Sequence, residues 1–125
     1  MRIKMMNPVE HDRHVAYVSH LSHVSSFMLG KTVLEIEKNE QAIFDMASTG
    51  FASTVRLAKS AANTWTPIFL ENKTNIIKSL DEYIKNLKEF KSFIETNDNK
   101  MLDKTMNSTN YIKTVLDGIK PNKNE

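Results

Sequence analysis

The tightest constraint on this chain is the spacing of apolar residues between positions 76 and 94. Ile76, Leu80, Tyr83, Leu87, Phe90 and Ile94 follow one another at intervals of four, three, four, three and four. That rhythm lays one apolar stripe along an α-helix for nearly three heptads. Asp81 and Lys85, then Lys85 and Glu89, add opposite charges at i, i+4 on its flank. The seam predicts a helix from near Thr66-Pro67 to about Thr96. Asn97-Asp98-Asn99 reads as its break and as the cap of the next helix.

A second long helix is predicted from Asn7 to Lys38. Asn7 suits a helix cap and Pro8 the first turn. Glu10 and Asp12 place negative charge near the positive helix end. No proline follows until Pro67, so about thirty residues, roughly 45 Å at 1.5 Å each, run unbroken. Gly30 is an interior weak point. Apolar residues go most of the way round: Val9, Ala16, Val24, Phe27 and Leu34 on one side, Val15, Val18, Leu29 and Val33 on another. A helix apolar all round is expected to be buried. All four histidines, His11, His14, His20 and His23, lie on it. Each pair spans about 60°, and the two pairs point to largely opposite sides, so this helix alone does not bring four ligands to one ion.

Between the long helices, Asn39 caps a predicted helix from Glu40 to Ser48, and Thr49-Gly50 breaks it. A short helix, Phe51 to Lys59, and a polar turn, Ser60 to Asn63, follow. A last helix, Lys100 to Ile119, carries Leu102, Met106, Ile112, Leu116 and Ile119, and ends at Gly118 and Pro121. The tail PNKNE is expected to fray. No segment alternates with period two long enough for a strand. The fold class is therefore all-α, a long-helix bundle. Two helices of about thirty residues outreach a single-subunit core of this size, so a homodimer sharing helices is expected.

Composition removes several functions. Residues 1–62 carry seven basic and six acidic groups and residues 63–125 ten and nine. Neither half has a one-sided field, so no nucleic acid and no anionic membrane surface is expected as partner. The absence of cysteine excludes disulfides and thiolate metal sites and fits a reducing, cytoplasmic setting. No apolar run approaches the roughly 18 residues needed to span a bilayer. The opening MRIKMMNP is too short for the apolar core of a signal peptide.

The densest polar cluster is Ser19-His20-Leu21-Ser22-His23. One reading is a wall of hydrogen-bonding groups facing a small anionic or carbonyl-bearing ligand. The other is a pair of histidines satisfied by backbone or water. HxxH also supplies two zinc ligands in some sites, but HExxH is absent and no metal is expected. Arg56, between Val55 and Leu57, either clamps a carboxylate with its planar fork or lies on the surface. Trp65, the only tryptophan, closes a pocket or packs in the core. GxGxxG, the P-loop and GxSxG are all absent, and no pair of acids is arranged for acid–base work.

Three blocks carry a family resemblance. EHDRHVAYVSHLSH (Glu10 to His23) resembles the HD…SHLPH signature that opens the helical C-terminal domain of prephenate dehydrogenases. GFASTVRLA (Gly50 to Ala58) is similar to that family's GGFRDxTRIA, and NTWTPIFLEN (Asn63 to Asn72) to its MWxDIxxxN. Their order and spacing agree over about residues 8–95.

The resemblance implies an N-terminal Rossmann domain that binds NAD, a helical C-terminal domain that dimerises, and an active site between them. The fold it implies is the 6-phosphogluconate dehydrogenase C-terminal-like type. The reaction it implies is NAD-dependent oxidative decarboxylation of prephenate to 4-hydroxyphenylpyruvate, a step towards tyrosine. Residues 1–6 then correspond to the remnant of a Rossmann strand or linker and residues 7–125 to the dimerisation and substrate-binding domain. By the same resemblance Arg56 clamps a substrate carboxylate. Ser19, His20 and His23 line the substrate and nicotinamide side of the cleft, and Trp65 stands near the same pocket. No catalytic residue is expected in this chain, because the family's catalytic histidine belongs to the other domain. The fragment is therefore expected to be inactive alone.

Two departures stand out. Ser22 replaces the usual proline, which predicts a straighter helix there. Ala52 and Ser53 replace Arg-Asp, which removes an acidic partner for Arg56 and opens the choice between prephenate and arogenate. Two other identities remain open: a non-enzymatic helical dimerisation module, and the helical domain of another Rossmann-linked dehydrogenase acting on arogenate or a hydroxy acid.

Overall fold

Asn7 caps the first helix as its position predicts: its side-chain oxygen accepts from the Glu10 backbone N–H at 2.8 Å, and Pro8 takes the first turn. The computed structural model describes residues 6–47 and 49–118, and they divide into two compact units, 1–82 and 83–125. No strand occurs among the described residues, and the class is all-α. The strand remnant expected over residues 1–6 falls, apart from Met6, outside the described residues, as do Ser48, Ile119, Pro121 and the tail.

In the first unit, helix α1 (Pro8–Val15) passes through a π-helical turn (Ala16–His20) into α2 (Leu21–Ile36). The expected long helix therefore exists and continues unbroken past Ser22, but with one widened turn. Its expected burial does not hold in the single chain. Ala16, His20 and Ser26 are buried, while Val9, Val18 and Leu34 stand exposed. A helix apolar all round needs cover on every side, and this chain covers only the side bearing Ala16, His20 and Ser26.

Asn39 caps α3 (Glu40–Met46) through the Ala42 N–H at 3.0 Å. Thr49-Gly50, expected to separate two helices, instead opens α4 (Thr49–Thr54). The expected Phe51–Lys59 helix is thus split, its second half being a 3-10 turn (Arg56–Lys59). That turn packs on α2. Ser26, buried in α2, donates to the Thr54 carbonyl at 2.7 Å and fixes the end of α4 there. At Gly30 a Cβ would stand 3.7 Å from the Ala58 Cβ, an ordinary van der Waals distance.

The helix expected from Thr66 to Thr96 starts earlier and is jointed. Helix α5 (Ala62–Glu71) begins at Ala62, shortening the expected Ser60–Asn63 turn. Pro67 lies inside α5 and lacks the N–H that would reach the Asn63 carbonyl. Asn72 (φ −112°, ψ 32°) leaves the helical region, and α6 (Lys73–Glu95) follows, with the Ile76 N–H returning to the Asn72 carbonyl at 3.0 Å. Ile76 and Ser79 of α6 are buried.

In the second unit, the later part of α6 stops at Asn97, a left-handed residue with φ 54°. Asp98 then caps α7 (Asn99–Thr109) by accepting from the Met101 N–H at 3.1 Å. The expected helix from Lys100 to Ile119 is broken between α7 and α8 (Ile112–Leu116). Ser108 and Thr109 hydroxyls bond back to the Lys104 and Thr105 carbonyls at 2.9 and 2.7 Å, the side-chain competition that weakens a final turn. Gly118, with φ 86°, closes α8 as its residue type predicts.

Candidate functional site

The π turn decides what faces what. It adds about one residue to a helical turn and so rotates everything after it by about 100° relative to an unbroken α-helix. His11 and His20 would be about 180° apart on a regular helix; the extra residue brings them to about 80°, and Asp12 to within about 20° of His20. The expectation that the two histidine pairs face opposite sides therefore fails. His11, Asp12 and His20 line one open cavity of about 290 Å³, together with Val15, Ile68, Glu71 and Asn72.

Asn72, at the joint between α5 and α6, holds this arrangement. Its side-chain nitrogen donates to the Asp12 carbonyl at 2.8 Å and lies 3.3 Å from His20 Nδ1. Its oxygen accepts from Asn75 Nδ2 at 2.9 Å. Burial pushes the His20 imidazole below its ordinary pKa; His23 adds to the shift, Asp12 opposes it, and His11 adds a smaller push. A nearly buried imidazole held this way favours the neutral form.

On the other side of His20, α5 presents an aromatic wall. The Trp65 indole stacks on His23 with ring centroids 3.5 Å apart and planes 21° apart. It meets His20 edge-on at 6.0 Å, and Phe69, one helical turn along, lies 5.6 Å from it. His23 Nδ1 donates to the Ser19 carbonyl at 3.0 Å. Ser19 thus orients His23 through its backbone, while its hydroxyl makes no hydrogen bond among the described residues.

Of the five residues singled out by sequence, the fold sets His20 and His23 both against Trp65, with the Ser19 carbonyl bonded to His23. Arg56 is exposed on the 3-10 turn that packs on α2, and it makes no ion pair among the described residues. Among the described residues no group of three His, Asp or Glu side chains is arranged for a metal ion, and no helix is long and apolar enough to cross a membrane.

Sequence reasoning missed Asn72, Asp12 and Phe69. Asn72 was visible as the polar residue closing the NTWTPIFLEN block, and Asp12 as an acid near the helix start and the acidic residue of the HD pair. What joins them is a hydrogen bond across 60 positions, which no local pattern carries.

Comparison with known proteins places these features. The family described as "Prephenate dehydrogenase, dimerization domain" matches residues 7–108. Prephenate dehydrogenase of Bacillus subtilis (strain 168) is 29% identical over 112 residues, covering 90% of this chain and 29% of that protein. Cyclohexadienyl dehydrogenase of Zymomonas mobilis is 34% identical over 98 residues, covering 78% of this chain and 33% of that protein. The chain thus spans about a third of the length of the curated relatives it matches.

Among solved structures, prephenate dehydrogenase from A. aeolicus, in complex with hydroxyphenyl propionate and NAD+, superposes with a TM-score of 0.81 at 30% identity. That match covers 92% of this chain and 40% of that one. Synechocystis arogenate dehydrogenase shares the fold, with a TM-score of 0.84 at 24% identity over 93% of this chain and 42% of that one.

Proposed function

The chain belongs to the family of prephenate dehydrogenase dimerization domains, and on that premise we propose that it is the substrate-binding and dimerising part of an NAD-dependent dehydrogenase. The substrate is prephenate and the product 4-hydroxyphenylpyruvate. In that reaction a hydride leaves the ring carbon that bears the hydroxyl, the ring carboxylate departs as carbon dioxide, and the ring becomes aromatic. The observation that carries this reading is the joining of His20, His23 and Trp65, from two separate sequence blocks, into one wall beside a polar cavity.

Each residue has a physical task. Arg56 offers a planar fork suited to a carboxylate, and it is not committed to any acid among the described residues. The Trp65 indole, stacked on one face against His23, offers apolar ring surface beside which a six-membered ring packs. His20 and His23 supply directed polar contacts at its edge, and Ser19 sets the orientation of His23. Gly30, Gly50 and Gly118 do not form GxGxxG, so this chain supplies no nucleotide-binding turn. NAD, held elsewhere in the full-length protein, supplies the hydride acceptor.

Exposed apolar side chains such as Val18, Leu34, Phe44 and Leu116 support a homodimer, since surface of this kind is usually covered by a partner. The lack of cysteine supports a cytoplasmic setting. Steady-state assay of the full-length protein with NAD and prephenate, arogenate or a simple 3-hydroxy acid tests the reading. Turnover of prephenate is expected, and the 125-residue chain alone is expected to be inactive and to sediment as a dimer. Ala52 and Ser53, where the family often has Arg-Asp, leave the choice between prephenate and arogenate open, so arogenate is the second substrate to try. A full-length protein that oxidises none of these would leave the chain as a helical interaction module.

A further inference from the structure

The imidazoles of His20 and His23 are wired in opposite senses. The Asp12 carbonyl oxygen only accepts, so the Asn72 side-chain atom 2.8 Å from it is the amide nitrogen. The Asn72 oxygen then faces Asn75 Nδ2, a donor, at 2.9 Å, which is consistent. That same amide nitrogen stands 3.3 Å from His20 Nδ1. His20 Nδ1 must therefore offer a lone pair, and the proton of its neutral ring sits on Nε2. His23 is the reverse. Its Nδ1 faces the Ser19 carbonyl at 3.0 Å and carries the proton, so the neutral ring has its lone pair on Nε2.

His20 Nε2 has no hydrogen-bond partner among the described residues, although His20 is only 9% exposed. No fully buried side-chain nitrogen there is left without a partner, so Nε2 reaches the solvent side. We propose that Asn72 is a positioning residue that holds His20 as its Nε2–H tautomer, so that the two histidines present a ligand with one hydrogen-bond donor and one acceptor. The inference deepens the dehydrogenase reading and takes its functional meaning from it. His20 cannot take a proton through a nitrogen that already bears one, so it donates and does not act as a base there. A substrate spanning both rings needs a carbonyl or carboxylate oxygen opposite His20 and a hydroxyl opposite His23.

The charged and titratable groups around His20 are His11 and Asp12 from α1, His23 from α2, and Glu71 from α5. None of them replaces the Asn72 contact at Nδ1. If Asn72 served only to join α5 to α6, its loss would weaken folding without touching the tautomer. The two roles therefore separate by measurement.

The test is two-bond proton–nitrogen NMR on the 125-residue chain labelled with nitrogen-15 histidine, recorded above the histidine titration range. His20 is expected with an unprotonated Nδ1 and a protonated Nε2, and His23 with the opposite pattern. In Asn72→Ala, His20 should become a tautomer mixture and its titration midpoint should rise towards the ordinary histidine value. In Asn72→Asp, the carboxylate should draw the proton to Nδ1 and raise the midpoint further. A wild-type His20 protonated at Nδ1, or an Asn72→Ala spectrum with its tautomer unchanged, overturns the proposal, and the first of these outcomes is readable even if both variants fail to fold. Turnover by the full-length enzyme is scored separately. Tautomers as stated with no dehydrogenase activity would remove the functional reading and keep the wiring; activity with His20 protonated at Nδ1 would do the opposite.

Discussion

The indole of Trp65 lies face to face with the imidazole of His23, their centroids 3.5 Å apart, and this single stack fastens α5 to α2 at the candidate site. Trp65 also touches His20 and Phe69. Trp65→Ala removes all three ring contacts from a half-buried position. A loss of about 1–3 kcal/mol in unfolding free energy is expected, from lost stacking and a partly collapsed void. Trp65→Phe should cost less, because a smaller ring keeps part of the stack. Denaturant midpoints of the two variants check the order, and an unchanged midpoint in Trp65→Ala would show that the stack contributes nothing.

Arg56 separates binding from folding. It is exposed and unpaired among the described residues, so Arg56→Ala should leave the unfolding free energy within about 0.5 kcal/mol of wild type. Under the proposed clamp, the same change in the full-length protein is expected to remove a charge-assisted contact of about 2–3 kcal/mol, or roughly 30- to 150-fold in kcat/KM for prephenate. Arg56→Lys should recover only part, since an ammonium lacks the fork. Unchanged kcat/KM in Arg56→Ala would end the assignment of this residue as carboxylate clamp.

His20 gives the fold a pH dependence of definite sign. Its folded pKa is lowered, chiefly by burial. The unfolded chain, titrating near the ordinary value of about 6.5, takes up its proton first as pH falls. Stability should therefore decline as pH drops through about 6.5 and level off once the folded ring is protonated as well. Above that window His20 contributes no slope. Urea midpoints across the range, compared with those of His20→Gln, isolate the contribution, and a slope identical in the variant would refute it.

Gly30 offers a gain. It sits within α2, and an added methyl would meet only the Ala58 Cβ at 3.7 Å. Gly30→Ala should raise stability by about 0.5–1 kcal/mol through helix propensity and a less flexible unfolded chain. A lower melting temperature would mean that α2 and the 3-10 turn must approach more closely than they do here.

What the sequence discloses depends on how local the cause is. Asn7, Asn39 and Asp98 cap helices because a short polar side chain reaches an N–H three residues on, and such signals are readable directly. The seam from Ile76 to Ile94 is likewise a property of one segment, and it does lie on one helix. Thr49-Gly50 misleads because both residues serve as readily to start a helix as to stop one. The widened turn at Ala16–His20 is invisible in its own residues, since AYVSH carries no breaker. The partner seen with it is Asn72, whose hydrogen bonds to Asp12 and His20 span that turn from another element. The site residues followed the same division: His20, His23 and Trp65 stood out by type, whereas the residue that orients one of them did not.

The widened turn carries one more implication. It behaves as a single surplus link in an otherwise regular coil, and such a link is removed by deleting one amino acid. A chain lacking Val18 alone would keep its composition almost intact and would wind regularly from Pro8 to Ile36. His20 would then swing by a quarter turn or more away from Asp12, and the amide of Asn72 would have to choose between them. Loss of one unremarkable valine would dismantle the polar half of the site while leaving Trp65 and His23 in place.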